Sequence, residues 1–284
     1  MGALRKQMDG DLVVRGMAAR TREAYLGAVA GLAKYYGRPP DRIGEAEVQN
    51  YLLHLIEERK LAWSSCNIVV QGLKFFYRTT LKRTEAQFGI PTARQPQKLP
   101  QILSREEIAA LLDKTVNLKH RAILMTAYGA GLRLSEICHL KIADIDSDRM
   151  TIRGEQGKGA KDRYTLLSPR LLAELRRYWV TYRPKAWLFT SRDGAQPISG
   201  ATVQKVFYAA KARAAIAKDC GIHGLRHAFA THLLEAGVDI HTIQRLMGHG
   251  HISSTLRYFH LARKHLASTP SPLELLDGAA PKPR

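Results

Sequence analysis

Cysteine is scarce in this chain. Cys66, Cys138 and Cys220 lie far apart, with no CxxC pair among them. That argues against a disulfide framework or a thiolate zinc site and is compatible with a reducing compartment. No segment approaches the roughly 18 apolar residues needed to cross a membrane, and the first residues carry charge without an apolar signal core. A cytoplasmic protein with no membrane partner is therefore expected. Acidic residues are also few: 25 Asp and Glu stand against 44 Lys and Arg, a formal charge of +19. A protein that basic calls for a polyanionic partner, and nucleic acid is the commonest. Two further absences bear on chemistry. Gly154-Glu-Gln-Gly-Lys158 resembles part of a phosphate-binding loop but lacks the four-residue spacer and the following Ser or Thr. His223, His227 and His232 invite a zinc reading, yet no HExxH or carboxylate-backed set accompanies them. Neither a metal nor a cofactor is expected.

What the sequence does contain is helical periodicity. The 284 residues are 45% hydrophobic, enough to bury a full core. Tyr25, Val29, Leu32 and Tyr36 form one stripe at helical spacing, and Val48, Tyr51, Leu52, Leu55 and Ile56 form another. A third helix runs from about Ser64 through Val69, Leu73, Phe76 and Tyr77, and a shorter one is expected around Arg5 to Met17. Arg20, Arg22, Lys34, Lys74, Arg78, Lys82 and Arg83 dress this four-helix module, which suits it to a phosphate backbone.

From Lys82 to Pro100 the periodicity stops and prolines appear at positions 91, 96 and 100, so an extended linker is expected. A second domain opens with the capping box Ser104-Arg-Glu-Glu107. Helices follow near 105–116 and 119–130. Ile142–Ile145, Met150–Arg153 and Tyr164–Leu167 read as short strands, the last two joined by a glycine-rich tip from Gly154 to Lys161. The chain is helical again from Pro169, with breaks at 192–197, 218–221 and 248–251. The expected fold is mainly α with a small antiparallel sheet. Its domains are a helical DNA-binding domain at 1–85, a linker at 86–103, a catalytic domain at 104–268 and a tail at 269–284. In the tail, Leu273 to Leu276 is a candidate subunit-docking segment.

Four places hold polar residues in unusual company. They are Gly129-Ala-Gly-Leu-Arg133-Leu-Ser-Glu136, the tip with Lys158 and Lys161, His223-Gly-Leu-Arg226-His227, and Leu246-Met-Gly-His249 followed by Ser253-Ser-Thr-Leu-Arg-Tyr258. Each has an ordinary explanation alone: a helix-end ion pair, a solvated lysine, a core histidine, a packed tyrosine. Together and in this order they resemble the tyrosine recombinase (phage integrase) family, whether of Xer type or from a mobile element. His249 precedes Tyr258 by nine residues, the spacing that family uses, and the resemblance covers the whole chain.

The resemblance implies a site-specific DNA recombinase with Arg133, Lys158, His223, Arg226, His249 and Tyr258 as catalytic residues. Glu136 would support the first arginine, and Lys161 is an alternative for the lysine role. The chemistry agrees with these residue types. Arginine is planar and always cationic, so Arg133 and Arg226 suit the non-bridging oxygens of a phosphodiester. A phenol becomes a competent nucleophile once a base takes its proton. His223 is the expected base, His249 a phosphate ligand, and a tip lysine the proton donor to the departing 5′ oxygen. The implied partners are double-stranded DNA with inverted-repeat-like sites and three further copies of the chain in a tetramer, with an accessory directionality protein as one more candidate. Integration or excision of a mobile element is the favoured role. Chromosome-dimer resolution, a type IB topoisomerase and a non-catalytic DNA-binding protein are the alternatives.

Overall fold

In the computed structural model the described residues are 2–83, 100–154 and 162–259, with Arg257 and Phe259 described by their backbone alone. The chain divides into two compact units, Met1–Gln97 and Lys98–Arg284.

The first unit is built from α1 (Gly2–Val14), α2 (Ala19–Tyr36), α3 (Glu45–Glu57) and α4 (Trp63–Phe75). The first helix begins earlier than its apolar pattern suggests, and it also ends earlier, where Gly16 takes a left-handed φ of 66° that stops it. The α2 and α3 stripes point inward except at Ile56, which is exposed: Val29, Leu32, Val48, Tyr51, Leu52 and Leu55 are buried with Leu73, Phe76 and Tyr77, and Tyr25 and Tyr36 are partly buried against them. Gly72 lets α4 approach α2 closely; a Cβ there would stand 3.1 Å from the Cα of Tyr25. Beyond α4 the chain continues as a π-turn, Phe76–Thr80, which buries Tyr77 and lets its hydroxyl donate to the carbonyl of Pro40 at 2.8 Å.

The first helix of the second unit opens on the expected capping box. The Glu107 amide donates to Ser104 Oγ at 3.2 Å while the Glu107 carboxylate accepts from the Ser104 amide at 2.7 Å. There follow α5 (Arg105–Asp113), α6 (Leu118–Gly129) and α7 (Leu134–Cys138). Next comes an antiparallel sheet in the order β1 (Ile145–Asp146), β2 (Thr151–Gly154), β3 (Arg163–Leu166). The rest is α8 (Pro169–Tyr182), α9 (Gly200–Arg213), α10 (His223–Glu235), α11 (Ile240–Met247) and α12 (Ser253–Phe259). Ser168, Ser199 and Asp239 cap the N-termini of α8, α9 and α11 with side-chain oxygens.

The fold is mainly α with a small antiparallel sheet, as expected, but several local readings need correction, among them the last strand, which runs one residue earlier than expected, Arg163–Leu166. Ile142–Asp144 is a 3-10 turn rather than a strand. The Asp144 carboxylate accepts from the Lys141 amide at 2.9 Å and from Arg153 at 3.0 Å, which winds the chain instead of extending it. Met150 lies in a turn at φ 53°, so β2 begins one residue later. The helical stretch after 223 also breaks between Glu235 and Ile240, where Gly237 takes φ 87° and Asp239 opens a new helix. That break sets the direction of α11, whose C-terminus matters below.

Two buried clusters stabilise this unit. The larger gathers α5 to α10 around Leu111, Ile123, Leu124, Ile152, Phe189, Phe207 and Leu225. The smaller joins Phe229 and Leu234 of α10 to Ile243 and Met247 of α11 and to Tyr258 of α12.

Candidate active site

Five of the sequence-selected residues, Arg133, Glu136, Arg226, His249 and Tyr258, form one set of contacts within the second unit. The turn before α7 places the first. Gly131 adopts φ 58°, and a Cβ there would lie 2.4 Å from the ring of Phe229, so only glycine fits. This delivers Arg133 to the N-cap of α7. Glu136, one turn on, accepts from the Arg133 amide at 2.6 Å and from Arg133 Nη1 at 2.8 Å.

Glu136 is buried, with 5% of its surface exposed. Burial alone would raise its pKa. The hydrogen bonds and charge of Arg163, with those of Arg133, outweigh it and pull the carboxyl down to about 2. Arg163 is the partner that sequence reasoning missed. It is buried at the start of β3 and grips the Glu136 carboxylate with both terminal nitrogens, Nη2 at 2.9 Å and Nη1 closer.

The C-terminus of α11 supplies the other pole of the site. Its last carbonyls have no helical partners, and three arginines take them in register. Arg163 Nε donates to Leu246 O at 2.8 Å, Arg226 Nη2 donates to Met247 O, and Arg133 Nη2 donates to Gly248 O at 2.8 Å. Cations belong at a helix C-terminus, where the macrodipole is negative. Arg226, near the start of α10, also donates to Gly131 O. Burial, and then the positive charges of Arg133 and Arg163, press its pKa down to about 9, which leaves the guanidinium charged at neutral pH.

His249 follows the left-handed Gly248 directly. Its Nε2 lies 3.3 Å from Arg226 Nη2, which donates, so a neutral ring carries its proton on Nδ1 and gives it to Thr255 Oγ1 at 2.8 Å. The ring of Tyr258 stacks against that of His249 at 6.2 Å and 11°. Tyr258 is only 3% exposed. Its hydroxyl lies 3.0 Å from Nδ1 of His227. His223 is exposed at the first turn of α10, and desolvation followed by the charges of Arg226 and Arg133 lowers its pKa, favouring the neutral, proton-accepting form.

Lys158, Lys161 and the tail segment Leu273 to Leu276 lie outside the described residues. The strands on either side of the lysine segment are paired, Gly154 opposite Arg163. Of the seven basic residues named for DNA contact in the first unit, Arg20, Lys34, Arg78 and Lys82 are exposed. Arg22 pairs with Asp9 at 3.5 Å. Lys74 is half-buried. Arg83 lies 5.3 Å over the ring of Tyr77 and donates to Asp41 O at 2.5 Å, so part of its role is to hold its own unit together. Two of the three histidines weighed as zinc ligands have other partners: His232 Nδ1 lies 2.9 Å from the hydroxyl of Tyr128, and His227 Nδ1 lies 3.0 Å from that of Tyr258. Among the described residues no group of three His, Cys, Asp or Glu has the geometry to hold a metal. No helix among them is long and apolar enough to cross a membrane.

A site that gathers two arginines, two histidines and a tyrosine can bind an anionic tetrahedral group and attack it with a phenol. Comparison with known proteins agrees with that chemistry. Residues 101–265 match the Phage integrase family, and residues 4–86 match the Phage integrase N-terminal SAM-like domain. A Sinorhizobium fredii protein named an integrase/recombinase is 44% identical over 100% of this chain and 92% of its own length. The tyrosine recombinase XerA of Pyrococcus horikoshii is 35% identical over 80% of each chain. Among solved structures, a lambda integrase tetramer bound to a Holliday junction aligns with TM-score 0.73 and 19% identity, over 90% of this chain and 76% of that one.

Proposed function

The chain belongs to the phage integrase family of tyrosine recombinases, and from that premise we propose that Tyr258 cuts DNA by forming a 3′-phosphotyrosine bond. The family's activity is DNA strand cleavage and religation at specific sites, and it is this enzyme's activity. The residue roles are our reading. The phenol oxygen of Tyr258 attacks phosphorus and the bond to the 5′ oxygen breaks, leaving a free 5′ hydroxyl. Attack by a second 5′ hydroxyl then expels the phenolate and seals the new joint. The bond energy stays in the phosphotyrosine, so no nucleotide cofactor is needed.

The observation that carries this reading is the continuous chain of contacts from Tyr258 through His249 to Arg226 and Arg133. Arg133 and Arg226 present guanidinium donors that rest on the carbonyls of Gly248 and Met247. A scissile phosphate competes well with neutral carbonyls for them, since it sets a full negative charge against the cation and can accept from a guanidinium bidentately. His249 needs its proton on Nε2 to bond a phosphate oxygen, so phosphate entry moves that proton or adds one. His223, kept neutral, or His227, already on the hydroxyl, takes the phenol proton. Lys158 or Lys161 protonates the departing oxygen.

Incubation of wild type and Tyr258→Phe with sheared DNA from the source organism, in EDTA, tests the reading. The expected result is a detergent-stable adduct in the wild type only, enriched at one inverted-repeat-like locus. Scattered adducts, with relaxation of any supercoiled plasmid, would point to a type IB topoisomerase instead. DNA binding without adduct in either protein would point to a non-catalytic relative.

The integrase/recombinase relative supports a mobile-element role, and the XerA relative supports dimer resolution. We favour integration or excision of a mobile element by a tetramer on two duplexes in the cytoplasm, with an accessory protein setting direction. Adduct loci at the ends of a mobile element would support this; one locus near the replication terminus would support the alternative.

A further inference from the structure

We infer that Arg163 is a positioning residue for DNA cleavage, one that sets both proposed phosphate-binding arginines and the loop bearing His249. The inference rests on the proposed role of Tyr258. The role of Arg163 runs through the groups it holds, the Glu136 carboxylate and Leu246 O.

Its three donor nitrogens serve two elements at once. Nη1 and Nη2 fork onto the two oxygens of Glu136, and Nε donates to Leu246 O at 2.8 Å. Glu136 in turn fixes Arg133 by backbone and side chain, at 2.6 and 2.8 Å, and lies 3.9 Å from Arg226. One guanidinium thus anchors the carboxylate between two others and takes the first of three successive carbonyls, 246, 247 and 248, whose second and third go to Arg226 and Arg133. Moving Arg163 moves all three together. The backbone around it is shaped to admit it. A Cβ on Gly248 would stand 2.5 Å from Arg163 Cδ, and one on Gly154 would stand 3.3 Å from its Nη1.

The pattern in β3 also marks the residue as purposeful. Arg163 and Thr165 face inward, while Tyr164 and Leu166 are exposed. Buried ion pairs seldom improve stability over apolar packing of the same volume, so this inversion is better explained by geometry than by stability. It also ties β3, which the chain enters directly from the segment holding Lys158 and Lys161, to the C-terminus of α11. Lysine cannot replace it, because one ammonium cannot span both Glu136 oxygens and Leu246 O.

The test compares wild type, Arg163→Lys and Arg163→Ala on a nicked duplex carrying the locus recovered above, which traps the covalent adduct. Affinity is read by gel shift and the single-turnover rate by adduct formation. Arg163→Lys is expected to bind within about twofold of wild type and to cleave roughly 10²-fold more slowly, the usual cost of a misplacement near 1 Å. Methylguanidinium added to Arg163→Ala should restore part of the rate, and methylammonium should not. Cleavage by Arg163→Lys at the wild-type rate overturns the inference. So does a loss of affinity as large as the loss of rate, or a folded Arg163→Ala that methylguanidinium leaves unchanged. If Arg163→Ala does not fold, the split between affinity and rate in Arg163→Lys decides. Failure of the wild type to form any adduct would instead sink the proposed role of Tyr258.

Discussion

The hydroxyl of Tyr258 lies 3.0 Å from Nδ1 of His227, four residues beyond His223 on the same face of α10. The phenol is therefore held inside the protein, between His227 and the stacked ring of His249, before any DNA is present. A hydrogen-bonded phenol at that distance can pass its proton to the imidazole without rearrangement of either side chain.

His227→Phe keeps the ring volume and removes the acceptor. DNA affinity should stay within about twofold while adduct formation slows by roughly 10²-fold, the lower end of the usual contribution of a positioned base. His223→Phe, measured alongside, separates the two histidines. If only His223→Phe slows the reaction, the contact with His227 belongs to the resting enzyme and the base is His223. In that case the rate should hold as pH falls through the ordinary histidine value of 6.5 and decline only below it, since the surroundings of His223 lower its pKa.

Gly131→Ala probes the turn that sets the site. The new Cβ would meet the Phe229 ring at 2.4 Å with φ at 58°, combining overpacking with left-handed strain. A loss of about 2–4 kcal/mol is expected in urea unfolding. Cleavage should fall further than folding, because Gly131 O is also a rest for Arg226. A variant as stable and active as wild type would mean that the turn can reshape freely.

Much of this was legible from the chain itself. The stripe Val29, Leu32 and the capping box at Ser104 follow from local spacing, whereas the order Arg133, Arg226, His249, Tyr258 is legible through its resemblance to the tyrosine recombinase family. Arg163 was not, because a strand of four residues has too few alternations to show that its polar positions face inward. The hint was there: Arg and Thr alternate with Tyr and Leu, so the more apolar pair lies outside. In the sequence His227 stands out only for a zinc reading that the missing HExxH or carboxylate-backed set argues against. Its real partner is 31 residues away, and only the packing of α12 on α10 reveals it. The 3-10 turn at Ile142 escaped for a similar reason, since its cause is Asp144 reaching Arg153 across the turn.

Glu136 links the site to stability through pH. Its pKa is about 2 in the folded protein against an ordinary 4.5. A carboxyl depressed by folding stabilises fully above the unfolded value, and that contribution is lost as pH falls toward the folded one. The difference corresponds to about 3 kcal/mol. Unfolding free energy measured in urea should therefore drop as pH falls from 5 toward 2. Glu136→Gln should be less stable at pH 7 and lack that component of the drop. An identical acid profile in both proteins would mean that other carboxylates dominate.

Salt dependence distinguishes basic residues that meet DNA from those that hold the protein together. Arg20 and Lys34 are exposed on α2, whereas Arg22 pairs with Asp9 and Arg83 packs over Tyr77. Each phosphate neutralised adds about 0.9 to the steepness of the log–log salt plot for duplex DNA. If Arg20 and Lys34 each neutralise one, the double variant Arg20→Ala/Lys34→Ala flattens that slope by about 1.8 and leaves the melting temperature nearly unchanged. Arg83→Ala should instead lower the melting temperature, since it removes the cover on Tyr77 and the donor to Asp41 O. Gel-shift titrations across a salt series and thermal melts read both effects. An unchanged slope in the double variant would move the DNA contact away from α2, toward Arg78 and Lys82 at the far end of the same unit's chain. A slope change in Arg83→Ala without loss of stability would mean that its guanidinium reaches DNA despite its contacts within the unit.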